Sequence, residues 1–159
     1  MDGDVLDDVM RRLREAGGDF AQIWNAVAAE AADIVEIRHA PPSPALDGLR
    51  TRENFLGYVE EEAHVFPRSF EDCSIGLEVE RAGSTVVWNP LSFSGRLVDS
   101  GRQVSIRFRV VLHFADGRLC CVDGSPTADN AKADIVAWLK AVESIGGFNP
   151  PPAIRDGNV

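Results

Sequence analysis

Apolar residues recur at helical spacing in the first third of the chain, at every second position through the middle, and at helical spacing again near the end. Val5, Leu6, Val9, Met10 and Leu13 form one helical stripe, closed by "AGG". Phe20, Ile23, Trp24, Val27 and Ala31 form a second, with Asp19 placed to cap its free N-terminal amides. "IVEIR" after Asp33 reads as a short strand, and the proline-rich "HAPPSPALDGL" reads as a constrained loop. Thr51 starts a third helix, "RENFLGYVEEEAHVF", with Phe55, Leu56, Tyr58, Val59 and Ala63 on its apolar side and Pro67 as its stop.

From residue 70 the period changes to two. Ile75, Leu77 and Val79 alternate with Gly76, Glu78 and Glu80, and "TVVWNPLSFSGRLV" follows the turn "RAGS". The longest alternation sets Ile106, Phe108, Val110, Leu112 and Phe114 against Ser105, Arg107, Arg109, Val111 and His113, and "ADG" turns into "RLCCVDG". Short loops between such strands predict an antiparallel meander. A last helix carries Ile135, Val136, Trp138, Leu139 and Val142, with Asp129 as its expected cap and Gly146 and Gly147 as its end. The fold class is therefore α+β. The 159 residues suit one domain over 1–146, followed by a proline-rich tail over 147–159 whose composition does not predict order.

A net charge of −9, with Lys132 and Lys140 as the only lysines, argues against a general binder of nucleic-acid backbone. The start lacks a secretory leader and no apolar run is long enough to span a bilayer, so a cytoplasmic protein without membrane contact is expected. Cys73, Cys120 and Cys121 make neither a disulfide framework nor a CxxC pair, and His64 lacks HExxH spacing, so no metal is implied. No phosphate loop, dinucleotide fingerprint or nucleophile elbow is present, and no cofactor is expected. "GGDF" at residues 17–20 is economically a turn and an N-cap.

The order of elements, together with "IWNAVAAEAAD", Gly48 before "RENFLGYV", and "VVLHFADGRLCCVDG", resembles the NTF2-like superfamily in its SnoaL-like and ketosteroid-isomerase-like branch, from about Phe20 to Trp138. The resemblance implies a cone: a curved antiparallel sheet wrapped around the N-terminal helices, here with an additional C-terminal helix. It also implies an apolar cavity for a small hydrophobic molecule, often a homodimer, and chemistry of the cofactor-free isomerase, cyclase or hydratase kind. The aspartate base of the isomerases corresponds approximately to Arg38 or His39 in "EIRHAPP", and their acid on a long strand to the apolar face holding Val110, so their constellation is incomplete here.

Candidate catalytic residues are then His39 at the end of the first strand, Asp123 on the last strand, and Tyr58 on the third helix. Alternation that sends Leu119 and Cys121 inward also sends Asp123 inward, where it can meet His39 as an acid–base pair. A turn role for Asp123, a loop role for His39 and a packing role for Tyr58 are the alternatives. Trp88, Asn89, Phe55 and Phe108 are the candidate ligand contacts, and Pro90 is expected to mark an edge or bulge. A noncatalytic binding or protein-interaction dimer, with Arg107 and Arg109 on its outer face, is the rival reading.

Overall fold

The computed structural model describes residues 2–155, with side chains from residue 5 onward. Its elements run α1 (Asp2–Ala16), α2 (Phe20–Ala28), β1 (Ala31–His39), β2 (Gly48–Thr51), α3 (Arg52–Arg68), β3 (Ser74–Ala82), β4 (Thr85–Arg96), β5 (Gln103–Ala115), β6 (Arg118–Pro126) and α4 (Lys132–Ser144). The strands form one open sheet in the order β2-β1-β6-β5-β4-β3. Neighbours are antiparallel except β1 and β6, which run parallel and bring Arg38 beside Asp123 and His39 beside Gly124. Joining β1 to β6 in this way places both strand ends at one rim of the sheet.

Local signals explain most boundaries. Asp19 accepts from the Gln22 amide at 3.1 Å and Thr51 from the Asn54 amide at 3.2 Å, each satisfying a free helix donor. Pro67 lies inside the last turn of α3, and the helix ends one residue later. Ala131 caps α4 without a side-chain bond, while Asp129 instead accepts from the Thr127 hydroxyl and pairs with Arg107. The short edge strand β2 was hidden in the loop before Thr51, because four residues carry too little alternation to read.

The inward face of the sheet packs on α2, α3 and α4 through a connected aromatic set. Phe20 meets Phe93 at 4.9 Å between ring centroids, Trp24 meets Trp88 at 5.0 Å, and Phe66 meets Trp138 at 5.1 Å. Each of the fully buried rings among them contributes about 1.5–3 kcal/mol by leaving water, and the half-buried Phe66 less. The inward run of β5, Ile106 to Phe114 at even positions, keeps strict alternation. Two neighbours do not. A bulge between Trp88 and Leu91 of β4 shifts the inward set from Val86 and Trp88 to Leu91 and Phe93. A second irregularity, between His113 and Phe114 opposite β6, shifts that strand's inward set from Leu119 to Val122.

Residues 148–155 pack across α3 and β2. Phe148 meets the Tyr58 ring at 5.2 Å, Ala153 is buried, and the Ile154 amide donates to the Leu49 carbonyl at 2.7 Å. Composition predicted no order here, but the fully buried Arg50 supplies an anchor: its Nε donates to the Pro151 carbonyl at 3.0 Å and its Nη1 to the Leu46 carbonyl at 2.7 Å. The end of the tail, residues 156–159, lies outside the described residues. No helix among the described residues is long and apolar enough to cross a membrane.

Candidate functional site

The concave face of the sheet, α3, α4 and the loop after β1 surround a cavity of about 710 Å³. Its walls are aromatic: Trp24, Phe66, Phe93, Phe108, Trp138 and Phe148 all border it. A few polar side chains interrupt them, chief among them His39, Tyr58 and Glu62. An apolar space with sparse polar groups is the usual form of a small-molecule site.

His39 stands at the end of β1, where the chain turns into the proline-rich loop. Its Nδ1 lies 2.6 Å from Asp47 Oδ1, and Asp47 Oδ2 accepts the Ser43 amide at 3.0 Å. Partial burial alone would raise the Asp47 carboxyl, but the bonds from His39 and Ser43 outweigh it and hold Asp47 below its ordinary value. An ionised Asp47 accepts a hydrogen bond from Nδ1–H, which leaves Nε2 as the ring nitrogen able to act as a base, the arrangement of an oriented general base. The loop that sequence read only as a connection thus supplies the partner of its own histidine, eight residues on.

Glu62 is the second polar feature. It lies one turn beyond Tyr58 and one turn before Phe66, so positions 58, 62 and 66 line a single face of α3. Trp24 Nε1 donates to its Oε1 at 3.2 Å, the one hydrogen bond to this carboxyl among the described residues, and no ion pair to it is found among them. It is partly accessible and borders the cavity, and removal of its carboxyl from water pushes it up to about 8, the Trp24 bond opposing. Neutral, it can donate a proton; ionised, it calls for a cation. Burial also raises the Tyr58 hydroxyl far above its ordinary value, so Tyr58 is a neutral donor.

The expected meeting of His39 and Asp123 does not occur. The irregularity in β6 turns Asp123 to the other face of the sheet, where Arg38 Nε holds Oδ1 at 2.8 Å, Arg38 Nη2 holds Oδ2 at 2.9 Å, and His113 Nε2 lies 2.7 Å from Oδ2. Donor atoms of His113, Cys121 and Asp123 all lie within 4.8 Å of one another, but the guanidinium on both oxygens of Asp123 opposes a cation there. Phe108 borders the cavity, whereas Phe55 and Trp88 are fully buried behind the wall and Asn89 is exposed at the bulge. Trp88 packs on Trp24 in place of facing a ligand, because strand alternation and the aromatic layer together seal it in. Glu62 had a legible signal in its spacing from Tyr58; Asp47 had none, since loop geometry carries no period.

No family model and no curated relative matches the sequence. Solved structures do match in fold. A protein from Jannaschia sp. CCS1 assigned as a SnoaL-like polyketide cyclase superposes with a TM-score of 0.56 at 15% identity, over 89% of this chain and 93% of that one. An NTF2-like protein of unknown function from Cytophaga hutchinsonii gives a TM-score of 0.53 at 9% identity, over 75% and 96%. A protein of ketosteroid-isomerase-like fold from Catenulispora acidiphila, in complex with trimethylamine, gives 0.50 at 12% identity, over 80% and 91%. This chain has the NTF2-like fold. Within an NTF2-like cone the position of a polar group in the cavity decides its chemistry, and such folds host many activities, so His39, Asp47 and Glu62 must carry the functional argument.

Proposed function

We propose that this protein acts in the cytoplasm, binding a small hydrophobic molecule in its cone and transferring a proton on it without a cofactor, with His39 Nε2 as the base and Asp47 as the residue that orients it. The observation that carries this reading is the 2.6 Å His39–Asp47 contact at an aromatic-walled cavity. Abstraction from a carbon next to a carbonyl breaks the C–H bond, places the proton on Nε2 and leaves an enolate; return of the proton at another position completes an isomerisation. Tyr58 is the neutral donor for the developing oxyanion. The trimethylamine held by one fold neighbour and the cyclase assignment of another support a small-molecule site.

The test uses 2-tetralone, a bicyclic ketone with acidic C–H bonds, in D₂O. Saturable change in the fluorescence of Trp24 and Trp138, with deuterium entering the ketone faster than in buffer, is expected, and His39→Ala abolishes the exchange while leaving binding. No binding and no exchange would overturn the proposal. The apolar Val110 of β5, which borders the cavity, favours a second reading in which the molecule is bound without turnover; saturable binding without exchange distinguishes it. Assembly as a homodimer belongs to the same proposal, and light scattering at twice the monomer mass is its test.

A further inference from the structure

A buried carboxyl facing a cavity without a cation is costly when ionised, and most proteins pair or neutralise such a group. Here Glu62 receives only the Trp24 indole N–H among the described residues, and the residue borders the cavity. Three rings stand next to it: Trp24 through that bond, and Tyr58 and Phe66 one helical turn to either side. Ring faces attract cations when water is excluded. The chain already uses this attraction, for the Arg50 guanidinium lies 4.7 Å from the Tyr58 ring centroid. Arg50 does not border the cavity, so it leaves the carboxyl of Glu62 unpaired.

We propose that the molecule taken by the cone is an alkylammonium: an apolar body with one cationic nitrogen, the nitrogen seated against Glu62 among Trp24, Tyr58 and Phe66. This rests on the cavity being a small-molecule site and names the class of molecule. The remaining charged or titratable groups around the space are Tyr58 on α3, Arg50 on β2 behind it, Arg38, His39 and Asp47 at the β1 end, and Glu143 on α4. Arg38 is committed to Asp123, His39 to Asp47, and Glu143 is exposed to water on α4, so Glu62 is the carboxylate set for a cation within the aromatic walls.

Binding carries a proton signature. The empty site holds Glu62 protonated up to about pH 8, and an ammonium stabilises its ionised form, so binding below that pH releases one proton. The probes are benzyltrimethylammonium, whose charge does not titrate, and neopentylbenzene, its neutral isostere, followed by tryptophan fluorescence and by calorimetry in buffers of different ionisation enthalpy. The cation is expected to bind the native chain more tightly than the isostere, to gain about tenfold in affinity per pH unit below pH 8, to level off above it, and to release a proton. Glu62→Gln is expected to lose at least about tenfold in affinity for the cation while keeping the isostere, which also shows that the variant is folded.

Preference for the isostere, absence of proton release from the native chain, or unchanged cation binding in Glu62→Gln would overturn the alkylammonium assignment and leave the cavity reading standing. Failure of both probes to bind the native chain would overturn the cavity reading, and the assignment with it.

Discussion

His39 and Glu62 are both ionisable residues of one cavity, yet their surroundings ask different chemistry of them. His39 has a carboxylate against Nδ1, which orients its ring; Glu62 is surrounded by protein atoms that disfavour its charge, and the single indole N–H bond from Trp24 only partly opposes them. Replacing Asp47 with Asn keeps the size of the side chain but removes the charge that selects the tautomer. Asp47→Asn is expected to slow ketone deuterium exchange about tenfold to a hundredfold while tetralone affinity stays within about twofold. Equal exchange in variant and native chains would remove Asp47 from the orienting role. At this scale the candidates split cleanly: His39 was legible as a titratable group at the end of a strand, whereas Asp123 was placed by an alternation that one irregularity reverses.

At the scale of elements, close backbone approaches fix how strands and tail meet the sheet. Gly95 of β4 has φ +152°, and a Cβ there would lie 2.3 Å from the Asp72 carbonyl oxygen. Gly95→Ala is expected to cost about 2 kcal/mol or more, read as a lower urea midpoint, because a backbone atom has no rotamer with which to yield. Gly57 gives the opposite sort of test. Alanine at an exposed helix position would stabilise by about 1 kcal/mol, but here a Cβ would sit 2.6 Å from Pro151 Cγ. Gly57→Ala is expected to forfeit that gain and to free the tail, seen as faster proteolysis near residue 150 with the rest of the domain resistant. A stabilised variant with an unchanged digest would show that the tail does not seat on α3. Caps at Asp19 and Thr51 were readable because capping is local, but the seat of the tail depends on Arg50, a residue a hundred positions away in sequence.

For the whole molecule, the raised carboxyl of Glu62 becomes a pH dependence of stability. Its value is about 8 in the folded chain against 4.5 for an unperturbed glutamate, so between those limits the folded chain holds a proton that the unfolded chain has lost. Stability from this group is present in full below about pH 4.5, falls as pH rises through the window, and levels off above about pH 8. Chemical denaturation at pH 5.5, 7 and 8.5 is expected to show native stability falling relative to Glu62→Gln; parallel curves would mean that the carboxyl is ionised in the folded chain. The sequence by itself determined the α+β class, the helices, the meander and the inward face of β5, because helix periods, caps and strand alternation are set by neighbours a few positions apart. Only the tertiary structure decided that β1 lies parallel to β6, that a bulge turns Asp123 outward, that the aromatic layer seals Trp88 behind the wall, and that Asp47 joins the site. Those outcomes depend on pairing register and burial between distant segments, which no local period encodes.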